Sequence, residues 1–230
     1  MAENSVAEFT YHINQKIIMK VLHIVPSAFD YFNDIRDFVF QLTDHLSDLE
    51  VESEIFTLQY GTTTRQTKIE IWQKSPGASF EGHIKINEII ASLDNFDIIH
   101  LHCPFLGAAR RLLAWKKQNP DRKLIITYYR DIRLTDLFSF FILLYNNYYL
   151  PKIFKVADAI SCLSAEDLKR TSAWRWMKDK KAIIELKSMA DKSENQPNVH
   201  LTEDVNNIQL IPAAELAEAC IRAYNKLLVK

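Results

Sequence analysis

Short uninterrupted apolar runs alternate along this chain with stretches whose apolar residues recur every three or four positions. The runs read as strands buried on both faces, the stretches as helices with one apolar stripe. Lys20-Val21-Leu22-His23-Ile24-Val25 predicts the first strand, stopped by Pro26. Ser27 or Asp30 is placed to cap the following helix, where Ile35, Phe38, Val39, Leu42 and Leu46 form one stripe. Further strands are predicted at 52–58, 68–72, 97–102, 123–128, 159–163 and 181–186, with helices at 84–93, 108–117 and from Ser164 to Met177. Leu134 to Val156 is a long, very apolar helical region, interrupted near Pro151. A short strand at 208–211 precedes an amphipathic helix over 213–229, with Leu216, Cys220, Ala223, Tyr224 and Leu227 on one face.

Strands alternating with helices predict an α/β fold: a single doubly wound, mainly parallel, Rossmann-like sheet, with the C-terminal helix packed back on the domain. Residues 1–18 read as a polar tail, 19–186 as the sheet domain and 187–207 as a polar linker loop. Residues 208–230 then supply the short strand and returning helix of the same domain. No internal repeat stands out.

Composition narrows the functional classes. With 48% apolar and 25% charged residues the chain is ordinary for a globular protein. A net charge of −1 gives no overall pull toward nucleic acid, and no basic-aromatic platform is visible, so no nucleic-acid partner is expected. Cys103, Cys162 and Cys220 lack CxxC spacing and fit a reducing compartment, hence a cytoplasmic location. No apolar stretch reaches the roughly 18 residues of a membrane span.

Ligands of doubly wound sheets sit beyond the carboxyl ends of the strands. That rule selects Ser27, Asp30, His102, Tyr129, Arg130, Arg133 and Ser164 as the cleft. Arg130 and Arg133 suit a phosphate or carboxylate, and Asp131 is the candidate to accept a hydroxyl proton. The alternative is an Arg–Asp network that orders the loop. Ser164 lacks a nucleophile elbow and reads as a helix cap. His23, His100 and His102 stand at spacings that do not bring three ligands together, so no metal and no cofactor is expected. Phe138, Phe141, Leu144, Tyr145, Tyr148 and Tyr149 form an unusually apolar helix, which serves as core, protein contact or membrane contact. No Lys/Arg cluster adjoins the 137–150 run in sequence.

Several segments, in order, resemble the N-terminal, acceptor-side domain of family 4 glycosyltransferases of GT-B fold. They are MKVLHIVPS at the first strand, FDIIHLHCP at the fourth, KLIITYYRD at the fifth, KIFKVADAISCLSAED around the sixth, and the terminal PAAELAEACIRAYNKLL. The last resembles the helix that, in two-domain members, returns from the donor domain. Three departures accompany the likeness. Only 187–207 separates the seventh predicted strand from the chain's end elements, too little for a sugar-nucleotide domain. Pro26-Ser27-Ala28-Phe29-Asp30 lacks the family's Gly-Gly pair. Tyr129-Arg130-Asp131 stands where the family often has a histidine.

The resemblance therefore implies a glycosyltransferase-like, non-catalytic or half-site subunit that binds a carbohydrate acceptor or a partner protein. An autonomous enzyme using the strand-end cleft and a scaffold subunit of a larger assembly are the alternatives. A protein partner or homo-oligomer is expected on either non-catalytic reading, with peripheral membrane contact through the apolar helix as a further expectation.

Overall fold

A computed structural model describes residues 19–26, 33–58, 71–74, 90–105, 109–131, 139–179, 183–186 and 212–229. The tail 1–18, the linker 187–207 and the strand at 208–211 lie outside these residues, as do Ser27, Asp30, Arg133 and Phe138.

Seven parallel strands form one sheet in the order β3-β2-β1-β4-β5-β6-β7. They are β1 (Lys20–Val25), β2 (Glu52–Leu58), β3 (Ile71–Lys74), β4 (Ile98–Cys103), β5 (Lys123–Tyr128), β6 (Ala159–Cys162) and β7 (Ile183–Glu185). The chain winds outward from β1 through β2 to β3, then returns to the other side of β1 for β4 and continues to β7. The switch point therefore falls between β1 and β4, where a doubly wound sheet opens its crevice. The predicted α/β class holds, and every pairing is parallel.

Among the described residues the main helices are α1 (Asn33–Asp48), α2 (Ala109–Gln118), α3 (Ser139–Leu144), α4 (Leu150–Val156), α5 (Ala165–Arg170), α6 (Trp174–Met177) and α7 (Ala213–Leu228); of the helix expected at 84–93, residues 84–89 lie outside the described set. In α1 the stripe Ile35, Phe38, Val39, Leu42 and Leu46 is fully buried. At roughly 1.5–3 kcal/mol per buried large apolar side chain, that stripe, rather than intrinsic propensity, seats the helix. In α7 the predicted face is sealed in the same way, with Tyr224 and Ala223 completely enclosed.

Three boundaries differ from expectation for physical reasons. The third strand begins among the described residues at Ile71 and runs to Lys74, not 68–72. Pro151 does not interrupt the long helix. It sits in the first turn of α4, and the irregularity lies before it, as a π-helical stretch over Tyr145–Tyr149. A proline has no amide hydrogen to close the preceding turn, and a widened turn accommodates its ring without breaking the helix. The predicted helix ending at Met177 is two helices, α5 and α6, parted at Thr171. Thr171 is extended, and its hydroxyl donates to the Leu168 carbonyl at 2.7 Å, diverting the side chain into a local cap.

Strand register assigns each side chain to a face, because alternate residues point to opposite sides. His23 pairs with His100, and His102 with Thr127, so these four share one face. α7 covers that face through Tyr224, and α1 reaches it where Phe38 packs edge-on against Tyr129. Phe154 of α4 and Tyr145 lie on the other face, against Tyr128 and Cys103. At the amino end of β5, buried Lys116 meets Asp158 at 2.8 Å, and Asp158 accepts the Leu124 amide at 2.7 Å. The pair carries its own charge compensation in a desolvated place.

Candidate functional site

β1, β4 and β5 bring three imidazoles and two phenols to the helix-covered face. His100 and His102 alternate along β4 and so point the same way, while β1 places His23 beside His100. Their rings form a stack, with centroids 4.1 Å apart for His100–His102 and 5.3 Å for His23–His102. The sequence expectation that these histidines do not meet is therefore corrected: ligand-type atoms of all three lie within 4.8 Å of one another. Spacing along one strand could not reveal this, because β1 and β4 are adjacent only through the sheet's winding.

Two hydrogen-bonded lines run through the stack. His23 Nδ1 lies 3.0 Å from His102 Nε2, and His102 Nδ1 lies 2.8 Å from the Tyr129 hydroxyl. His100 Nδ1 lies 2.6 Å from the Tyr224 hydroxyl and its Nε2 2.6 Å from Thr127 Oγ1, which continues to Ser161 Oγ at 2.5 Å. Within the stack, Nε2 of His23 is the ring nitrogen with no partner among the described residues. Such a buried nitrogen costs about 1–3 kcal/mol, so the network is not free of strain.

All three histidines are fully enclosed, and burial lowers their pKa far below the ordinary value, to about 3 for His23. Burial likewise raises the phenols of Tyr129 and Tyr224. The network is neutral across the physiological range. Its hydrogen bonds join the rings into a pillar across the sheet. Both His100 nitrogens are engaged in hydrogen bonds, and His23 Nδ1 is engaged with His102 Nε2.

The outer end of the pillar lies at the carboxyl end of β5. Tyr129 is half-buried, and beside it Arg130 grips Asp34 of α1 through two parallel contacts of 2.8 and 3.0 Å. Such a fork is the geometry in which guanidinium meets carboxylate best. Asp131 points elsewhere: it accepts the Tyr128 hydroxyl and the Ser172 amide, both at 2.7 Å. The loop-ordering alternative raised for these residues is thus realised with different partners, Asp34 for Arg130 and the α5–α6 connection for Asp131. With both oxygens accepting, Asp131 is a bracket between β5 and that connection.

Ser164 has the extended backbone of a cap position, but its side chain makes no cap bond. Instead Glu185 of β7 accepts the Ala165 amide at 2.9 Å. A carboxylate from the next strand does what the local hydroxyl was expected to do. Cys103, Cys162 and Cys220 are buried, each with its pKa raised by that burial to about 12, which leaves them inert thiols.

The aromatic helix divides. Tyr145, expected at a surface, is a core residue whose hydroxyl accepts the Phe105 amide at 3.2 Å. The π-helical turn rotates it inward. Leu144 and Tyr148 are exposed, Tyr149 is half-buried against the core, and the Phe141 side chain lies outside the described set. Asp34, Tyr224 and Glu185 were not singled out for these roles; Tyr224 carried a signal, as the one polar-tipped residue on the apolar stripe of α7.

A parallel sheet ordered β3-β2-β1-β4-β5-β6-β7, with a buried polar pillar across β1, β4 and β5, defines a doubly wound α/β protein of Rossmann type. The sequence matches Glycosyltransferase Family 4 over residues 36–184, and the chain belongs to that family. No curated protein matches the full sequence. Among solved structures, the chain is similar to the DNA/pantothenate metabolism flavoprotein from Streptococcus pneumoniae, at 12% identity and a TM-score of 0.37, covering 65% of this chain and 82% of that one. It is similar at the same identity and TM-score to TubZ of Clostridium botulinum phage c-st, covering 68% of this chain and 54% of that one.

Proposed function

We infer that this family 4 glycosyltransferase domain is an acceptor-side module that binds a carbohydrate and relies on a partner protein for the nucleotide-sugar half of the reaction. One observation carries the reading: among the described residues, the histidines, Asp131 and Arg130 at the strand ends are committed to contacts within the domain. The histidines are sealed beneath α7 and held neutral, Asp131 spans Tyr128 and Ser172, and Arg130 holds Asp34. General acid–base work needs a group that reaches substrate and titrates near the working pH. The half-buried ring of Tyr129, its hydroxyl turned in to His102, offers what a binding module needs instead, an aromatic surface at the strand end.

Saturation-transfer NMR with a panel of mono- and oligosaccharides tests the binding. Transfer to sugar protons is expected with the native chain and not with Tyr129→Ala at an unchanged melting temperature. Release of nucleoside diphosphate from any nucleotide sugar by the purified chain alone, above a heat-treated control, overturns the non-catalytic reading.

A further inference from the structure

His23 is fully enclosed, yet among the described residues only one of its ring nitrogens is engaged. Nδ1 meets His102 Nε2 at 3.0 Å, while Nε2 has no partner. The other two rings are anchored at both nitrogens, His102 by His23 and Tyr129, His100 by Tyr224 and Thr127. An apolar side chain at this place on β1 would avoid the roughly 1–3 kcal/mol that a stranded polar atom costs. Packing alone therefore gives no reason for an imidazole here.

The geometry of the His23–His102 pair is specific. A hydrogen bond between two imidazoles sets nitrogen facing nitrogen, with both in-plane lone-pair directions near one line. Donors facing each other suit an ion that takes its ligands on opposite sides, not one that needs four at tetrahedral angles. With metal–nitrogen bonds of about 2 Å, the two nitrogens would stand about 4 Å apart. Widening the present 3.0 Å by about 1 Å asks for a swing of His23, which has no second hydrogen bond among the described residues to lose. Charge narrows the choice further. Among the described residues the ligand-type cluster consists of the three enclosed histidines, with no acid or thiol in it. The cost of taking an ion out of water rises with the square of its charge, so a dication costs about four times what a monocation does.

We propose that His23 Nδ1 and His102 Nε2 hold one monovalent copper ion in line between β1 and β4. Imidazole is a ligand that copper takes well. With both facing nitrogens bare, His102 carries its hydrogen on Nδ1, toward the Tyr129 oxygen, and His23 carries its own on Nε2. Both rings stay neutral, and no proton is released. Tyr129 becomes the outer partner that fixes the orientation of a ligating histidine. His100, stacked at 4.1 Å on His102 with both nitrogens engaged elsewhere, lines the ion without ligating it. The site is independent of what the strand end binds.

Prolonged anaerobic incubation of the chelator-treated chain with copper(I) in acetonitrile buffer, then desalting and elemental analysis, tests it. One copper per chain is expected to stay bound and to raise the melting temperature. Its X-ray absorption spectrum should show two nitrogen neighbours and no sulfur. Zinc offered in the same way should wash out. His23→Phe fills the place of the ring and should retain no copper. If that variant does not fold, the absorption spectrum of the native chain decides by itself, because a sulfur shell would give the ion to Cys103, Cys162 or Cys220 and overturn the proposal. Copper that washes out of the native chain, copper retained by folded His23→Phe, or zinc retained as firmly as copper overturns it equally.

Discussion

The Tyr224 hydroxyl on α7 lies 2.6 Å from Nδ1 of His100 on β4, 124 residues earlier, inside a fully enclosed contact. The two rings meet edge-on at 5.7 Å, so one pair supplies both a hydrogen bond and an aromatic contact. This pair anchors the last helix to the sheet.

Replacing Tyr224 with Phe keeps the ring and removes the hydroxyl. His100 Nδ1 is then buried without a partner, and urea unfolding should show a loss of about 1–3 kcal/mol. Tyr224→Ala removes the ring as well and should lose about 3–5 kcal/mol, as large aromatic truncations do. Equal stability of Tyr224→Phe and the native chain would mean that the contact does not anchor the helix.

Acid should weaken the fold well before the carboxylates titrate. His23, His100 and His102 have folded-state pKa values lowered by burial, while in the unfolded chain they return to about 6.5. Below that pH the unfolded state binds more protons than the folded state, so stability falls as pH falls. Each enclosed histidine contributes about 1.4 kcal/mol per pH unit, from near pH 6.5 down toward its folded pKa, about 3 for His23. Denaturant titrations between pH 7 and pH 4 should show this slope, and His23→Phe should reduce it by one proton. A flat profile through pH 5 contradicts the neutral pillar.

Asp131→Ala should loosen the α5–α6 connection without dissolving the sheet. It strands the buried end of the Tyr128 hydroxyl bond and frees the Ser172 amide, for a loss of about 1–3 kcal/mol. Hydrogen exchange at Ser172 should accelerate in the variant relative to amides of β5. Unchanged exchange there would show that Asp131 does not brace the connection.

Arg130 and Asp34 should couple, but weakly. Asp34 is 38% exposed and Arg130 19%, so solvent screens the pair and a double-substitution cycle should return about 0.5–1 kcal/mol. Arg130→Lys should lose most of that coupling, since an ammonium cannot make the two parallel contacts. Full retention in the lysine variant would show that the fork geometry contributes nothing.

Periodicity located six of the seven strands closely and the third only in part, and it located the striped helices α1 and α7, because burial selects residues whichever partners eventually cover them. β5 was legible to the residue at Lys123–Tyr128, since both its faces are buried and both its ends polar. Sequence order likewise yielded the family resemblance. Side-chain pairing was not legible. Whether Arg130 meets Asp131 beside it or Asp34 at a separation of 96 residues depends on where α1 lies over the sheet.

The amino-acid sequence by itself determined the alternation of strands and helices, hence the doubly wound class, since each element's apolar period is a local property. Only the tertiary structure decided that His23, His100 and His102 become one stack and that Tyr145 turns inward while Tyr148 stays out. Those outcomes depend on strand order, helix phase and packing, which join residues far apart in the chain and leave no mark on any single segment.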